Sequence, residues 1–413
     1  MSEAVNYQYY PGRISVENLV VFNGVEKTDV TGLMVEILVD TSIQSSSALV
    51  QIQLLDAVNF LSKYNLSHGN LVTFDIVYKD VAFNYSLRVS SISNINQQNG
   101  QRLYIINCVS HLSYQSNYKK IQGVYTGTPA SIAKSIFLEN TDEKINLWEE
   151  SIGNQKLIIP NLSPINTIKW LATRAEWKED FVRFKFFQDS RLNYNFTPIE
   201  KALQLYKNKP TLKYTHNLIA GNDYRGVPNS MEVNRAIQNI NYGDSYDIRN
   251  KVKNLRGKNI TIDIVDKNYL IENFDYFDNF TKERYLNNFP QYAKNDYSDG
   301  FINYDIDMSY TQPSVDTINK NSDISDFRTT NLDDSQNIEI EVMGNQSIDI
   351  LQVLEIEIAS PEPKTNNVSQ KDVLDKRWSG LYYVVAKKDI FNRNEHKMVL
   401  GLAKESQIEE VLV

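Results

Sequence analysis

The chain has few sulfur and imidazole side chains, and each scarcity excludes a class of site. Its 413 residues contain a single cysteine, Cys108, so an intramolecular disulfide and a thiolate zinc cluster are both excluded. The four histidines, His68, His111, His216 and His396, are separated by 43, 105 and 180 residues. No local zinc motif has such spacing, and we expect isolated histidines at the surface or in turns.

A surplus of basic charge is also missing. The 43 Lys and Arg residues are outnumbered by 51 Asp and Glu residues, and the net charge of −8 argues against a dedicated nucleic-acid binder. No apolar run approaches the ~18 residues that cross a bilayer, and the amino terminus lacks the features of a secretory signal. We therefore expect a globular protein that folds in a cytoplasm, without cofactor and without membrane insertion.

Alternation of apolar and polar residues predicts strands at both ends of the chain. The predicted strands are 13–22, 33–39, 48–55, 71–78, 85–95, 102–109, 181–187, 236–242, 260–265, 338–343, 348–358, 382–387 and 397–403. Helices are predicted between them, because Thr128-Pro129 and Ser163-Pro164 each combine an N-cap hydroxyl with proline at the first helical position. Beside the apolar stripe of the second helix lies Trp170, which we expect to be buried against the strand 181–187.

The first and last hairpins of the chain resemble each other. Residues 89–109 align with 384–404 at a constant offset of 295, which matches Leu103 with Met398 and Ile105 with Leu400. Upstream, Val72, Phe74 and Ile76 match Leu354, Ile356 and Ile358. Two interpretations stay open, since any two alternating strand pairs align well: chance similarity, or two related β-barrels.

Catalytic motifs are scarce. The strand around Cys108 marks this residue as a small core side chain, and no P-loop, G-x-S-x-G or dinucleotide-binding motif occurs. Glycan hydrolysis uses two carboxylates, for which the adjacent acids Glu149-Glu150, Glu179-Asp180 and Asp333-Asp334 are available. With 51 acids in the chain, such pairs arise by chance, and we interpret them as solvated surface acids.

The order of segments resembles the baseplate hub proteins of contractile-tail bacteriophages, whose relatives form the hub part of type VI secretion spike proteins. The resemblance runs through segments 40–56, 159–175, 184–196 and 379–402. Its structural signature consists of Ser163, Pro164, Ile168, Trp170, Leu171, Ala172, Tyr194, Phe196, Gly380 and Tyr382.

The resemblance implies an α+β, mainly β fold with two related antiparallel β-barrel domains, and with a mixed α/β unit and a polar insertion between them. The expected boundaries are 1–12 for an N-terminal tail, 13–118 for the first barrel, 119–232 for the mixed domain, 233–265 and 336–405 for the two parts of the second barrel, 266–335 for the insertion and 406–413 for a C-terminal tail.

The function implied by the resemblance is that of a structural baseplate hub subunit, which carries no catalytic residues. Three copies would form a homotrimeric ring that joins the central spike to the sixfold tail tube. The implied partners are a separate spike protein, tail tube or tube-initiator proteins and a tape measure protein, while DNA passes through the channel without tight binding. We expect assembly in the host cytoplasm and a final location in the virion tail baseplate. The alternative is a tail-associated peptidoglycan hydrolase or a glycan-binding protein.

Overall fold

The structure is a computed structural model. It describes residues 12, 14–78, 81–177, 184–207, 212–216, 236–243, 256–263, 267–275, 277–278, 280, 285–291, 301–307, 336–360 and 374–409. The acid pairs Glu179-Asp180 and Asp333-Asp334 therefore lie outside the described residues. So does the stretch 361–367, where Pro361-Glu362-Pro363 and the polar residues after it predict an exposed loop.

The first part of the chain is an antiparallel strand module, as predicted. Its strands are β1 Ser15–Phe22, β2 Lys27–Asp29, β3 Met34–Ser42, β4 Leu49–Asp56, β5 Leu71–Tyr78, β6 Val81–Gln98 and β7 Gln101–Val109. A 3-10 helix, Thr31–Leu33, and a short helix, α1 Phe60–Lys63, lie between strands. Residues from six of these strands meet in one core, so the sheet curls around its own apolar face.

A mixed α/β unit follows. Its elements are α2 His111–Ser116, β8 Ile121–Gly127, α3 Pro129–Leu138, β9 Ile145–Leu147, β10 Gln155–Leu162, α4 Pro164–Ala172, β11 Phe184–Gln188, β12 Tyr194–Pro198 and α5 Ile199–Lys207. Both predicted caps are confirmed: the Thr128 hydroxyl accepts a hydrogen bond from the Ser131 N–H, and the Ser163 hydroxyl accepts one from the Asn166 N–H. These bonds satisfy N–H groups that the first helical turn leaves without a partner.

The remaining elements are nearly all strands. They are β13 Leu212–His216, β14 Asn239–Tyr242, β15 Arg256–Asp263, β16 Asn268–Asp275, β17 Phe289–Pro290, β18 Phe301–Asp307, β19 Gln336–Met343, β20 Val353–Ile358, β21 Gly380–Phe391, β22 His396–Lys404 and β23 Ser406–Gln407. Within the predicted polar insertion, β16 and β18 flank β15 in a three-stranded sheet. The sequence also predicts a short helix at 281–287 within this insertion. It is absent at the described residues 285–287, which form a bend, whereas 281–284 lie outside the described residues.

One strand predicted near the end of the chain is shorter than its pattern indicated. The predicted strand 348–358 begins only at Val353, because Leu351 adopts a left-handed conformation with φ of 68°. Ile348 and Ile350 are buried in the preceding turn, so the sequence alternates there as it would in a strand.

The mainly β, α+β fold class is confirmed. No helix in the described part of the chain is long and apolar enough to span a membrane.

The two strand modules form a single sheet. The ladder runs β14-β19-β22-β21-β3-β4-β7-β6-β5-β1-β2, with β20 also paired to β21 and β13 paired to β20. The resemblance implied two barrels in one chain, but no pattern in the sequence indicated that β21 and β3 pair. Each half of this sheet packs on its own core, and the mixed unit has a third.

The two halves of the sheet repeat the same strand order. The run β3-β4-β7-β6-β5 in the first half corresponds to β14-β19-β22-β21-β20 in the second, with antiparallel pairing at each step of both runs. Leu87 and Tyr382 are equivalent at the offset of 295. Val72 pairs with Leu87 and Leu354 pairs with Tyr382, so the predicted match of Val72 with Leu354 is confirmed.

The constant offset of 295 is wrong for the second strand of the hairpin. Both first strands carry a bulge at the same place, between Val89 and Ser91 and between Val384 and Ala386. Across the ladder, however, Val89 pairs with Cys108 and Val384 with Leu402, which makes the offset 294 there.

The corrected offset matches the buried faces of the two second strands. It aligns the buried Tyr104 and Ile106 with the buried Met398 and Leu400. The predicted partners Leu103 and Ile105 are both only partly buried, so they belong to the other face of their strand.

Trp170 does not have the position predicted for it. It is half-buried at the margin of the third core, with the Arg174 guanidinium 3.8 Å from its ring centroid. The deeply buried tryptophan of this region is Trp177, which is 7% exposed. The prediction failed because the apolar stripe of α4 faces the core, while position 170 lies beside that stripe and is covered by a cation.

Candidate functional site

Strand β21 passes through both halves of the sheet. Its first residues, including Tyr382 and Val384, belong to the second core, whereas its last residue, Phe391, belongs to the first. Beyond the bulge, β21 pairs with β3 from Ala386 opposite Ser42 to Phe391 opposite Ile37. We call this β21–β3 ladder the intrachain seam.

Two charged side chains of opposite sign are buried at the intrachain seam. Lys387 is 0% exposed and Asp389 1%, and the Lys387 Nζ lies 3.1 Å from Asp389 Oδ2. The same ammonium donates to the Ile348 carbonyl at 2.8 Å and to Ser190 Oγ at 3.1 Å. Burying a charge is costly unless it is paired and hydrogen-bonded, and here all three donors of the lysine have a partner.

The fourth histidine completes this cluster. His396 is fully buried, and its Nε2 lies 2.8 Å from Asp389 Oδ1, so it corrects the expectation of surface histidines. Its Nδ1 is buried and has no hydrogen-bond partner among the described residues. Burial alone would raise the pKa of Asp389, but the Lys387 ammonium and the His396 hydrogen bond hold it below its ordinary value.

Two glycines and an aromatic ring fix the position of His396. A Cβ at Gly344 would lie 2.1 Å from His396 Cγ, and one at Gly12 would lie 2.7 Å from the His396 carbonyl oxygen. On another side the imidazole stacks on Phe391 with 4.4 Å between ring centroids. The imidazole therefore fits only because position 344 has no side chain, while Gly12 leaves room for the His396 carbonyl.

A loop of the mixed unit ties into the same cluster. The N–H and hydroxyl of Ser190 both donate to the Asp349 carboxylate, at 3.2 and 3.3 Å. Its carbonyl accepts a hydrogen bond of 2.9 Å from the Tyr85 hydroxyl of the first module. Burial raises the pKa of Asp349, and the Lys387 ammonium opposes that shift. Polar bonds thus join all three regions of the chain at one point.

The cluster holds the residue types of nucleophilic catalysis, but its geometry supports a structural role. A histidine–aspartate pair and a serine bonded to a lysine would be candidates for catalysis if a substrate could approach them. Lys387, Asp389, His396 and Ser190 are each at most 1% exposed. Apart from His396 Nδ1, the side-chain polar atoms of these four residues have partners, and a buried network of this kind fixes the alignment of the elements that it joins. Among the described residues, no three His, Cys, Asp or Glu side chains are placed to hold a metal ion.

The predicted signature residues fall into two separate places. Ser163, Pro164, Ile168, Leu171 and Ala172 lie in or cap α4. Tyr194 and Phe196 lie on β12 and share the third core with that helix, and the Tyr194 hydroxyl is 2.5 Å from Ser110 Oγ.

Gly380 and Tyr382 begin β21 in the second half of the sheet. Gly380 has φ of 135°, a conformation that favours glycine, and the Tyr382 hydroxyl donates to the Trp378 carbonyl at 2.6 Å. The structure therefore does not gather the signature into one site. Glu149, from the first acid pair, forms an ion pair with Lys201.

Sequence reasoning missed the charged cluster. Counted by simple alternation from Val384, residues 387 and 389 would face away from the core. The bulge at Val385 reverses the alternation, so Lys387 and Asp389 point inward. The repeat contained a signal for this reversal. In the equivalent hairpin the apolar residues are Leu87, Val89 and then Ile92, so the alternation shifts by one residue across its own bulge.

Comparison with known proteins identifies the fold. No family model and no curated protein sequence matches the chain. A tail protein from Neisseria meningitidis MC58 is similar in structure at 9% identity and a TM-score of 0.54, over 95% of this chain and 97% of that one. A 43 kDa tail protein of prophage MuSo2 from Shewanella oneidensis is similar at 11% identity and a TM-score of 0.55, over 95% and 98%.

Both similarities span nearly the whole of each chain, so they concern the complete arrangement of modules and not one sheet. An E. coli component of the type VI secretion system, described as structurally similar to T4 tail proteins gp27 and gp5, also aligns, but its TM-score of 0.46 is too low to support an argument. The resemblance stated from the sequence is thus confirmed at the level of fold: this chain has the fold of phage tail proteins.

Proposed function

We propose that the chain is a structural hub subunit of a contractile phage tail, which forms a trimeric ring between the central spike and the sixfold tail tube. The observation that carries the proposal is the fold shared over 95% of the chain with two phage tail proteins. The repeated strand order supports it further, because a subunit with two equivalent modules presents six such modules as a trimer.

We also propose that this hub subunit is not an enzyme. The cluster around Asp389, which holds residue types of nucleophilic catalysis, is buried and at most 1% exposed. The chain's only thiol, Cys108, is buried, and burial raises its pKa, so it is a poor nucleophile at neutral pH. A separate spike protein, tube or tube-initiator proteins and a tape measure protein are the proposed partners, in the tail baseplate of a virion assembled in the host cytoplasm.

The mass of the purified assembly tests this function. A trimer would have a mass of about 143 kDa, three times the 47.6 kDa of the subunit. Native mass spectrometry and electron microscopy should show a ring, either for the chain alone or after co-expression with a spike chain. A stable hexamer, or a monomer in both preparations, would contradict the proposal.

Two further measurements address the alternatives and the channel. A clearing band on peptidoglycan zymography that is lost in the Glu179→Gln variant would favour the glycan hydrolase.

DNA is expected to slide through the ring, because the subunit charge of −8 repels phosphate. Submicromolar DNA binding at physiological salt would contradict that expectation.

A further inference from the structure

The mixed unit contains a two-stranded ribbon, β8 and β10, which is separate from the large sheet. The two strands pair antiparallel and with no other described strand, and Val124 lies opposite Ile158 while Thr126 lies opposite Lys156. The inward side chains of the ribbon join the third core. On the outward face, Val124 is 58% exposed and Ile158 is 71% exposed. Two apolar side chains therefore face solvent directly opposite each other.

The two edges of this ribbon differ in their protection against further pairing. On β10, Pro160 has no N–H, and the register shift between Ile159 and Leu162 places an extra residue in the strand. Proline and bulges block the addition of another strand. Strand β8 has neither, and it contains no Asp, Glu, Lys or Arg. Among the described residues, its backbone is hydrogen-bonded to β10 alone, so its outer edge is open.

Acidic residues are missing from the segments that form this ribbon. No Asp or Glu occurs in residues 103–138 or 151–175, although the chain has 51 acids in all. The cations of these two segments are Lys119, Lys120, Lys134, Lys156, Lys169 and Arg174. Lys119 and Lys120 come directly before β8 and are exposed, as is Lys156 at the other end of the ribbon. The apolar pair thus lies between two cationic ends.

A carboxylate does act on the ribbon, but from its inner side. Glu139 accepts a hydrogen bond from Ser135 Oγ on α3 at 3.2 Å, and after burial it is the second cause that raises the pKa of Tyr125. Tyr125 alternates with Val124 along β8 and packs against the third core. The cations of the outward face therefore keep their charge without an ion pair to a described acid.

We propose that the outer edge of β8 binds an extended segment of a partner protein, in which acidic side chains flank an apolar one. An added strand gains main-chain hydrogen bonds along an open edge, and its alternate side chains provide specificity. Its apolar side chain would lie beside Val124. Its acidic side chains would lie towards Lys120 at one end and Lys156 at the other, because neighbouring strands are only about 4.8 Å apart and a lysine can reach across Thr126.

Charge complementarity selects this occupant, since the cations flanking the edge attract acids and repel a basic segment. The exposed pair Val124 and Ile158 favours a protein segment over nucleic acid, whose phosphates gain nothing from apolar contact. This inference goes beyond the proposed hub function and does not depend on the closure of a ring.

A labelled peptide tests the open edge. The probe is fluorescein-labelled Thr-Glu-Thr-Val-Thr-Glu-Thr, titrated with the full chain and followed by fluorescence anisotropy at low salt. We expect a dissociation constant below about 1 mM, and an increase of at least tenfold in Val124→Asp, which places a like charge at the centre of the edge. Val81→Asp is the matched control, because Val81 is a valine on a strand of another module with a similar exposure of 54%, and it should leave the constant within twofold.

Charge reversal and hydrogen exchange locate the contact. Lys120→Glu/Lys156→Glu should raise the dissociation constant at least tenfold, whereas Lys27→Glu/Lys63→Glu, an equal change of charge at two exposed lysines of the first module, should leave it within twofold. Saturation with the peptide should slow amide exchange in residues 121–127 and leave residues 155–162 unchanged. Protection at β10 instead of β8 would overturn the proposal, as would equally tight binding of a peptide with lysine in place of glutamate.

The remaining outcomes identify other occupants. No anisotropy change up to about 1 mM would overturn the proposal. So would a short DNA duplex that binds through Lys120 and Lys156 when the peptide does not, because the cations would then serve nucleic acid. A change of oligomeric state in Val124→Asp, measured by sedimentation, would assign the edge to a second copy and overturn the partner segment. A trimer that fails to bind the peptide would overturn this inference and leave the hub function standing.

Discussion

The β6/β7 and β21/β22 hairpins share the bulge after Val89 and Val384, but they differ beyond it. The β6 strand has a second register shift between Ser93 and Asn96, and only the β21 edge is covered there by another strand of the described chain. The β21 edge is closed by β3 of the same chain, and there the inward positions are Lys387 and Asp389, with His396 across the ladder. At the equivalent positions the β6 hairpin has Ile92 and Asn94, with Arg102 bonded at the surface to Ser62 and Gln97.

The difference shows where this fold tolerates buried charge. An intrachain seam forms once, during folding, and its charges find fixed partners at that moment. At residues 91–96 of β6 no strand of the described chain covers the edge, so a charge there would have no such partner. The β6 hairpin has the neutral Ile92 and Asn94 in this stretch, whereas the charges at 387 and 389 fix the alignment of the two modules.

The largest expected effect comes from removing one partner of the buried charge pair. Asp389→Ala leaves the Lys387 ammonium without its carboxylate and the His396 Nε2 proton without its acceptor. We expect a loss of about 3–5 kcal/mol in the free energy of unfolding, measured by urea denaturation. At the equivalent position, Asn94→Gly keeps the left-handed backbone and should change stability by less than about 0.5 kcal/mol. Similar losses at the two positions would show that the hairpins do not differ as described.

The second effect concerns pH and another buried cation of the β21/β22 hairpin. Lys404 donates to the carbonyls of Arg377 and Ser379, at 2.6 and 3.0 Å, and burial lowers its pKa from 10.5 to about 7. Between about pH 7 and 10 the unfolded chain binds this proton and the folded chain does not, so stability should rise with pH by about 3–4 kcal/mol. The equivalent residue of the first hairpin is the neutral Ser110, which contributes no such slope.

Thermal unfolding across that pH range checks this prediction. The Lys404→Met variant should lose the upward slope, whereas Ser110→Ala should keep it. Above about pH 10 tyrosines reverse the trend, because burial raises the pKa of groups such as Tyr85 and favours their ionisation in the unfolded state. A slope that persists in Lys404→Met would assign the pH dependence to other groups.

A third variant tests the space around His396. Gly344→Ala would place a Cβ 2.1 Å from the imidazole, which Phe391 and Asp389 prevent from moving away. We expect a loss of about 2–3 kcal/mol in the free energy of unfolding. Gly32→Ala is the matched control, since a Cβ there meets nothing within 4 Å and should cost less than about 0.5 kcal/mol. A neutral Gly344→Ala would mean that the ring has room to move.

Local patterns predicted much of this fold, but the contacts between distant segments did not follow from them. The caps of α3 and α4 were predictable, because a hydroxyl followed by proline acts within a few residues. The match of Val72 with Leu354 was also visible, since it needs only alternation. The bulge at Val385 was not, and it reversed the faces of Lys387 and Asp389. The pairing of β21 with β3 joins residues about 350 apart, and no local pattern encodes it.

The smallest expected effect decides whether the intrachain seam couples the two modules. Cys108 and Leu402 are equivalent residues, and both are fully buried. In the Leu402→Cys variant each core contains one thiol, so both labelling rates come from the same molecule. A buried thiol reacts only in an opened state, and its rate reports the free energy of that opening.

If the β21–β3 ladder couples the modules, the two thiols should give opening free energies that agree within about 0.5 kcal/mol. Peptide mass spectrometry after pulsed labelling with a maleimide measures both. Adding Asp389→Ala to this variant should then separate the two values, because it weakens the seam while leaving the first core intact. Unequal labelling rates of the two thiols before that change would mean that the modules open independently. The continuous sheet would then connect the modules without coupling their free energies of opening.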